Sequence, residues 1–477
     1  MHAAARRLLP ISLCLCLVIA AAPPQQVTEV DRLLASMTPA QRVGQLFMVS
    51  VWGPELPING QRFIQQTAPG GVVLFESNTG SPASLARFTN ALQEAAAGGG
   101  LPPLFIAVDH EGGLIQRLKD DNGFTVFPVG QLVTATGDPA DAAAVGRAMA
   151  EELLAVGINM NLAPVADLET NRENPVVARR AYGSDPDMVG RTIAAFIEGA
   201  QEARLLAVAK HFPGHGATTQ DSHTGLPVLD HDAARLRAVE MVPFQYAADA
   251  GVAAIMAAHI WFPNLEPEEG RPASLSYPVL TGLLREAMGY QGLIMTDALD
   301  MNAIDRRFFY GEAARLAVQA GVDLIAFGGQ VSLEDQQAAI AEVIQAVEDG
   351  AIPQARIDES ARRILETKAR FGLLRWSPVD PDTAAARMNV AAHQRLVADL
   401  FPRALTLVKD DGAHLPPRPG AHEPARVPDV VRRHRHRLPP PDARAAARRH
   451  PLRAGRGRPR ACGRCGALRR DHRRAHQ

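Results

Sequence analysis

Short apolar runs alternate with amphipathic stretches from residue 42 to about residue 350 of this chain. Eight of the runs are continuously apolar, which is typical of parallel strands that are buried on both faces. Eight strand–helix repeats predict an α/β fold, a (β/α)8 TIM-type barrel. An open doubly wound sheet is the alternative, since periodicity alone cannot show closure. The predicted strands are Gly44–Val51, Gly71–Phe75, Pro103–Asp109, Ile158–Ala163, Leu206–Lys210, Val252–His259, Gly292–Thr296 and Val322–Phe327.

The amphipathic stretches between the strands have apolar residues at helical spacing and are predicted to be the barrel helices. A further stretch of this kind, Ile352–Leu374, ends the barrel, so we expect the barrel domain to span residues 26–375. Residues 376–415 are predicted to be a linker and the truncated start of a second domain, in which Ala404–Leu407 opens a strand. The other predicted helices are Pro82–Ala97, Ala140–Val156, Pro186–Ala203, Ser276–Met288, Glu312–Ala320 and Leu333–Glu348.

The formal net charge of -1 combines an acidic body with a basic C-terminal segment. Residues 416–477 contain 18 Arg, no Lys and 4 acidic residues, whereas residues 1–415 contain 32 Lys and Arg against 47 Asp and Glu. The acidic body argues against a nucleic-acid partner. The basic segment lacks apolar periodicity, so we expect a disordered tail there. Either this tail is a functional basic arm or the reading frame shifts near Pro416, and the abrupt change of composition favours the shift.

The N-terminus has the features of a secretory signal peptide, which we place at residues 1–25. Arg6 and Arg7 precede an apolar run, Leu8–Ile19, and small residues follow it at Ala20–Ala22. The run is shorter than the ~20 residues that a transmembrane helix needs. We therefore expect export to the periplasm or the extracellular space and no stable membrane span after signal removal, with an uncleaved anchor as the alternative. All four cysteines lie in this segment and in the tail, so we expect no disulfide framework or zinc ribbon in the body.

Polar residues stand at the ends of four predicted strands. In barrel enzymes the loops at the C-terminal ends of the strands carry the chemistry, so these side chains would face one mouth. Each of these side chains alone could cap a helix or be solvated. Gathering all of them at one mouth costs free energy unless they bind a polar ligand there. The four residues are Asp109, Lys210, His259 and Asp297.

The most informative segment runs from Lys210 to His223 and reads KHFPGHGATTQDSH. Asp221 and His223 are two positions apart, so an extended loop would place them on the same side. A carboxylate beside a histidine fixes the ring tautomer and stabilises the imidazolium, which makes His223 a candidate general acid/base. Together with Asp297 as an attacking carboxylate, this pair suits glycoside hydrolysis by the retaining mechanism. We expect a structural role for His215, which lies between two glycines.

A metal site is the competing explanation of the same loop, because four of its side chains could form a ligand set. Their spacing matches no zinc motif, and Lys210 beside them would repel a cation, so we expect no metal. The four side chains are His211, His215, Asp221 and His223.

At these residues the chain resembles glycoside hydrolase family 3, and in particular its β-N-acetylhexosaminidase branch. The similarity runs from about residue 30 to residue 375, and KHFPGHG followed by DSH is its most specific part. The motifs that carry it are Val108-Asp-His-Glu-Gly-Gly113 with Gln116-Arg117, Asn161-Leu-Ala-Pro-Val-Ala-Asp167, Asn174-Pro175, Arg180-Ala-Tyr-Gly183, Lys210-His-Phe-Pro-Gly-His-Gly216, Asp221-Ser-His223 and Thr296-Asp-Ala-Leu299.

This resemblance implies a barrel without cofactor or metal, in which Asp297 is the nucleophile and the Asp221–His223 dyad is the acid/base. It also implies that charged side chains hold the hydroxyls of the sugar, and we add His259 from its strand end. The substrates would be terminal β-linked N-acetylglucosamine residues of peptidoglycan fragments or chitooligosaccharides, and we expect a monomer. The predicted binding residues are Asp109, Arg117, Arg180, Lys210, His211 and His259.

The chain departs from the family pattern at a few positions. Leu114 stands where many relatives have Arg, and Ala181-Tyr182 replaces Ser-Phe, but no catalytic group is missing. Residues 403–409 look like the start of the second domain of two-domain members, and we expect no complete second domain to follow. Three alternatives stay open: a β-glucosidase or β-xylosidase of the same family, a non-catalytic glycan-binding barrel, and an anion-binding protein that acts through the tail.

Overall fold

Eight parallel strands form a barrel in the computed structural model, which describes residues 28–406. The strands of this part of the chain are β1 (Phe47–Val49), β2 (Gly71–Leu74), β3 (Phe105–Val108), β4 (His110–Gly112), β5 (Ile115–Gln116), β6 (Met160–Asn161), β7 (Leu206–Phe212), β8 (Ala254–Ala257), β9 (Leu293–Thr296) and β10 (Ile325–Ala326). The order in the sheet is β10-β1-β2-β3-β6-β7-β8-β9. Met295 in β9 pairs with Leu324 just before β10, and this bridge closes the ring. Strands β4 and β5 form a separate antiparallel hairpin.

Helices occupy most of the connections between barrel strands. Sequence signals explain where three long helices begin, because each starts with a proline and follows Ser81, Asp138 or Asp185, whose side chain accepts a backbone N–H bond. A helix with π-type hydrogen bonds spans Pro278–Ala287. The α-helices are α1 (Glu29–Ser36), α2 (Pro39–Gly44), α3 (Ile58–Thr67), α4 (Pro82–Gly98), α5 (Gly130–Ala135), α6 (Pro139–Ala155), α7 (Pro186–Glu202), α8 (Ala233–Ala238), α9 (Val242–Asp249), α10 (Asn302–Asp305), α11 (Tyr310–Ala320), α12 (Leu333–Glu348), α13 (Gln354–Arg370), α14 (Pro381–Ala384) and α15 (Ala391–Arg403).

The predicted (β/α)8 barrel is confirmed: seven of the eight predicted apolar runs contain one barrel strand each, and the run Leu206–Lys210 covers all of β7 except its last two residues. The apolar pattern located the strands because their residues are buried on both faces, as in β3 and β7, where every residue is buried. The observed strands are mostly shorter than the runs, because ladder hydrogen bonding stops before the apolar sequence ends.

Residues 376–406, which we expected to form a linker and to begin a second domain, belong to the same compact unit as the barrel. Asn90 in α4 exchanges two hydrogen bonds with the backbone of Val379, at 2.8 and 3.0 Å. Helix α15 is tied to α6 by the buried carboxylate of Glu152, whose Oε1 lies 2.9 Å from His393 Nδ1. These polar contacts and the apolar contacts of Leu396, Val397 and Leu400 together hold the segment on the barrel.

Ala404, where we expected a strand to open, is the C-cap residue of α15. The predicted signal peptide, at residues 1–25, and the predicted basic tail, at residues 416–477, lie outside the described residues. Within residues 28–406, no helix combines the length and the apolar character that crossing a membrane requires.

Candidate active site

The segments that follow the barrel strands surround a pocket with about 700 Å³ of empty space, here called the inner pocket. Apolar side chains, among them Phe75, Leu162 and Met256, share its wall with charged ones. Such a mixed wall suits a ligand that has both hydroxyl groups and apolar faces. The charged and imidazole side chains are Asp109, Arg117, Arg180, Lys210, His211, His215, His223 and Asp297.

A more open pocket of about 1130 Å³, here called the outer pocket, adjoins the inner one. The two pockets share Asp109, Arg117, His223 and Asp297. Trp52 also lines the outer pocket, although 67% of its surface is exposed. The shared residues therefore stand between a less open binding position and a more open one.

A cluster of four charged side chains lies at one wall of the inner pocket, which Asp109, Arg180 and Lys210 line and Glu111 supports from behind. Lys210 Nζ lies 2.7 Å from both Asp109 Oδ1 and Glu111 Oε1. Arg180 donates two hydrogen bonds to Glu111, at 2.9 and 2.7 Å. Burial alone would raise the pKa of Glu111, but Lys210 and Arg180 lower it to about 2. Burial alone would lower the pKa of Lys210, but the two carboxylates raise it. The cluster therefore balances two cations with two anions.

The β4–β5 hairpin explains how Glu111 reaches this cluster. The chain leaves β3 at Asp109 and turns at Gly112, whose φ of 88° lies in the left-handed region that favours glycine. Asn161 fixes the hairpin, because its side chain accepts the His110 N–H at 3.1 Å and donates to the His110 carbonyl at 2.9 Å. Asp109 and Glu111 are two positions apart in extended chain, so both carboxylates can meet the same cation.

Asp167 organises the start of the loop after β7. It is fully buried, and its Oδ2 lies 2.6 Å from His211 Nδ1. Its Oδ1 accepts the backbone N–H groups of His211 and His215, at 3.2 and 2.6 Å. The His215 ring continues the network, with Nδ1 2.9 Å from Thr218 Oγ1 and Nε2 3.2 Å from Ser222 Oγ. Burial lowers the pKa of His215 to about 4, so its ring is neutral at pH 7 and holds the loop in place.

Asp221 and His223 form a dyad beside the inner pocket. Asp221 Oδ1 lies 2.8 Å from His223 Nδ1 and also accepts the His223 backbone N–H at 2.8 Å. Burial alone would raise the pKa of Asp221, but the backbone N–H and the ring of His223 lower it. The carboxylate therefore stays ionised and orients the ring through Nδ1. Because 62% of the His223 side chain is exposed, its ring can exchange a proton with a ligand or with water.

Asp297 follows β9 directly and lines both pockets. Its Oδ1 accepts the backbone N–H of Ala298 at 2.8 Å. Burial alone would raise the pKa of Asp297, but His211, His259 and the Ala298 N–H hold it below its usual value. An ionised carboxylate at the border of the two pockets is placed to act as a nucleophile on a ligand that spans them.

His259 is not among the residues that line either pocket. Its side chain is fully buried, with Nδ1 2.7 Å from Ser274 Oγ and Nε2 3.0 Å from the Ala298 carbonyl. A carbonyl can only accept, so Nε2 donates the proton and Nδ1 accepts from the serine. The structure therefore places this histidine against the backbone that follows Asp297, and not on the pocket wall as we expected.

The sequence of this barrel matches a known protein family. The family model "Glycosyl hydrolase family 3 N terminal domain" matches residues 38–367. The chain belongs to glycosyl hydrolase family 3. The matched region contains all of the barrel strands and all of the residues that line the two pockets.

Curated relatives support this membership of family 3. "Beta-hexosaminidase A" of Pseudoalteromonas piscicida is 35% identical over 385 residues, which are 77% of this chain and 63% of that protein. "Beta-hexosaminidase" of Tolumonas auensis is 37% identical over 281 residues, which are 58% of this chain and 81% of that protein. The chain thus spans less than two thirds of the first relative and most of the second.

Two solved structures have the same barrel. The beta-N-acetylglucosaminidase from Paenibacillus sp. str. FPU-7 is 39% identical, with a TM-score of 0.75, covering 79% of this chain and 70% of that one. "Beta-glucoside phosphorylase BglX" is 28% identical, with a TM-score of 0.72, covering 83% of this chain and 70% of that one. Both similarities confirm the barrel. Because the two names refer to different sugars, the fold alone does not identify the sugar that this chain binds.

Seven of the nine predicted site residues line the inner pocket, and Asp221 is bonded to one of them. His259 is the residue that the structure does not bring to the pocket. Sequence reasoning assigned no role to Glu111, Asp167 or Ser222, whose hydrogen bonds go to other residues of the site; Ser222 also lines the inner pocket. Their place inside the family 3 motifs was the only signal that could have found them. Within residues 28–406, no three His, Cys, Asp or Glu side chains are grouped so that they could hold a metal ion.

Proposed function

We propose that this chain is a retaining exo-β-N-acetylglucosaminidase, which removes terminal β-linked N-acetylglucosamine from peptidoglycan fragments or chitooligosaccharides. The observation that carries the proposal is that Asp297 and the His223 ring, which is paired with Asp221, border the same pocket. The names of the relatives, beta-hexosaminidase and beta-N-acetylglucosaminidase, support the choice of sugar. The position of the inner pocket, which is less open than the outer pocket beside it, supports action at a chain end.

In the first step, the Asp297 carboxylate attacks the anomeric carbon, and the bond from that carbon to the leaving oxygen breaks. The lowered pKa of Asp297 keeps the nucleophile ionised. His223 is protonated at the start of this step and gives a proton to the leaving oxygen, while Asp221 stabilises the imidazolium. The products of the step are a glycosyl ester of Asp297 and the aglycone as a neutral alcohol.

In the second step, the neutral His223 ring removes a proton from water, and the oxygen of that water attacks the anomeric carbon. The ester bond breaks and the Asp297 carboxylate is released. Two inversions at one carbon leave the sugar with its original β configuration, and the proton on His223 restores the starting state.

The buried charged cluster would hold the terminal sugar during both steps. Asp109 can accept hydrogen bonds from sugar hydroxyls, whereas Arg117, Arg180 and Lys210 can donate them. Because the cluster is close to neutral overall, it favours an uncharged sugar over an ionised ligand. Burial fixes these groups, so a bound pyranose meets donors and acceptors that are already oriented.

The experiment that tests the proposal compares the wild type with Asp297→Asn on a chromogenic β-N-acetylglucosaminide. The variant keeps the size of the side chain and removes its charge, so we expect turnover to fall on the order of 10⁴-fold. The matching β-glucoside and β-xyloside are the controls for the alternative sugars. NMR of the first product should show the β anomer, and an α anomer would contradict retention. A folded wild type that binds the sugar without turnover would instead support a glycan-binding barrel.

Transfer of the sugar to phosphate is a second candidate, which the similarity to Beta-glucoside phosphorylase BglX favours. Phosphate can attack the same glycosyl–Asp297 ester in place of water. Turnover in inorganic phosphate distinguishes the two reactions: free N-acetylglucosamine indicates hydrolysis, and its 1-phosphate indicates phosphorolysis.

We also propose that the chain is exported, on the evidence of the basic residues and the apolar run near its N-terminus. Cell fractionation and N-terminal sequencing of the mature protein test this. A periplasmic or secreted protein that begins near residue 26 supports export with cleavage, whereas a cytoplasmic protein that keeps residue 1 contradicts it.

A further inference from the structure

Two hydrogen bonds join the loop after β9 to the loop after β7. Asn302 donates from Nδ2 to the His223 carbonyl at 2.7 Å, and the Ala303 N–H donates to the Ser222 carbonyl at 3.2 Å. The first loop begins with Asp297, and the second carries the dyad. The segments that bear the nucleophile and the acid/base are therefore fastened to each other at the mouth of the barrel.

Ser222 is held from two sides. Its side chain is buried, with Oγ 3.2 Å from His215 Nε2, while its carbonyl accepts the Ala303 N–H. Residues 222–224 form a turn and not the extended loop that we expected: the Thr224 N–H donates to the Asp221 carbonyl at 2.9 Å, and the His223 N–H donates to the Asp221 carboxylate at 2.8 Å. This turn brings the side chains of Asp221 and His223 together. The His223 ring is largely exposed, so backbone hydrogen bonds, more than packing, decide where it lies.

The support on the β9 side is rigid. Asn302 is the first residue of α10, and the next two residues, Ala303 and Ile304, are fully buried. Asn302 follows Asp297 by five positions on the same loop. Its amide group therefore sets the position of the His223 backbone relative to the nucleophile.

We propose that Asn302 is a positioning residue that places the acid/base His223 over the bond to be broken. The proposal rests on the proposed glycosidase function. Without the Asn302 bond, the dyad loop can shift away from the pocket. The terminal sugar would still bind, because its contacts come from the charged cluster around Lys210. The step that we expect to slow most is proton transfer from His223 to the leaving group.

The experiment compares Asn302→Ala with the wild type on two substrates of different leaving ability. The sugar leaving group of N,N′-diacetylchitobiose needs a proton, whereas dinitrophenolate from 2,4-dinitrophenyl β-N-acetylglucosaminide leaves without one. We expect kcat/KM for chitobiose to fall by about 10-fold, a part of the 10²- to 10⁴-fold that general acid catalysis supplies. We expect kcat/KM for the dinitrophenyl substrate to fall by less than about twofold, because its first step needs no general acid.

Two further variants sharpen the comparison. Asn302→Gln keeps the amide donor and should recover part of the chitobiose activity. Arg306→Ala changes an exposed residue just after the same short helix and is the matched control. Thermal melts check that all three variants fold like the wild type.

Equal losses on both substrates would overturn the proposal, because they would show a general disturbance of the site. No loss on chitobiose would overturn it as well. Failure of the proposed function has a different signature, since Asp297→Asn would then retain the turnover of the wild type whatever the result at Asn302.

Discussion

Lys368 is fully buried at the end of the barrel opposite the pockets, and its replacement by methionine should stabilise the protein. Its Nζ lies 2.9 Å from Gln45 Oε1 and 5.0 Å from the centre of the Phe105 ring. The Gln45 side chain precedes β1 and Phe105 begins β3, so both mark the amino ends of the strands. Burial lowers the pKa of Lys368 from 10.5 to about 7. Methionine has a similar length and carries no charge.

The magnitude follows from the shift in the pKa of Lys368. A fall from 10.5 to about 7 corresponds to roughly 5 kcal/mol against folding at pH 7, at 1.36 kcal/mol per unit. Methionine leaves Gln45 Oε1 without this donor, which costs about 1–3 kcal/mol. We therefore expect Lys368→Met to raise the free energy of unfolding by about 2–4 kcal/mol at pH 7.

The sign of the pH dependence is a second test. Between pH 7 and 10.5 the unfolded chain binds the Lys368 proton more strongly than the folded protein does, so the stability of the wild type rises with pH. At pH 9 the cost of burying the amine has fallen to roughly 2 kcal/mol. The advantage of Lys368→Met should therefore nearly vanish there.

Urea unfolding at pH 7 and pH 9 measures both effects. Lys119→Met is the matched control, because that lysine side chain is 52% exposed and its replacement should change the stability by less than about 0.5 kcal/mol. Turnover by Lys368→Met should equal that of the wild type, since the lysine lies far from the pockets. A less stable variant at pH 7, or an advantage that is the same at both pH values, would refute the reasoning.

Three further substitutions test the site. Glu111→Gln leaves two buried cations with a single carboxylate, so urea unfolding should show a loss of about 3–5 kcal/mol and kinetics a higher KM; unchanged stability would contradict the account of the cluster. Trp52→Ala should raise the KM for chitobiose by roughly threefold to tenfold and leave the KM for a methyl glycoside unchanged, because it removes an aromatic surface from the outer pocket; equal changes would exclude that role. Gly216→Ala adds a Cβ that collides with the Leu168 carbonyl oxygen, so the loop that carries Asp221 and His223 has to move. We expect this displacement to lower turnover by roughly 100-fold, and near-normal turnover would show that the loop accommodates the Cβ without moving the dyad.

The positions of the strands, though not their exact ends, were predictable because burial on both faces leaves a continuous apolar run that stops near the pocket. Asp109 and Asp297 directly follow their strands, and Lys210 lies inside the long strand β7. The same signal failed at His259, because β8 ends at Ala257, two residues earlier. The chain has turned before it reaches His259, and the His259 ring packs behind the pocket wall, against Ser274 and the Ala298 carbonyl.

Partners that are distant in the sequence could not be predicted in the same way. Glu111 meets Arg180 across 69 positions, and Asn302 meets the carbonyl of His223 across 79. Local periodicity reports which face of a strand or helix a residue occupies, but only closure of the barrel decides which faces meet. The helix at residues 391–403 escaped prediction for a related reason, since its partners, Glu152 and the apolar cluster around Phe127 and Val133, are far away in the sequence.

The charged cluster at the pocket wall is held by buried ion pairs, whereas the loop with Asp221 and His223 is held by hydrogen bonds near the surface. This difference suits the two groups to different functions. In the wall, the side chains of Lys210 and Glu111 are only 3% and 5% exposed, and displacing either would leave a buried charge without its partner. Such a wall keeps its shape and suits the terminal sugar that the proposed substrates share. The dyad is exposed and depends on a few hydrogen bonds around Ser222, beside an open outer pocket. This arrangement predicts that substitutions in the wall affect all substrates alike, whereas substitutions around the loop change how strongly the rate depends on the leaving group.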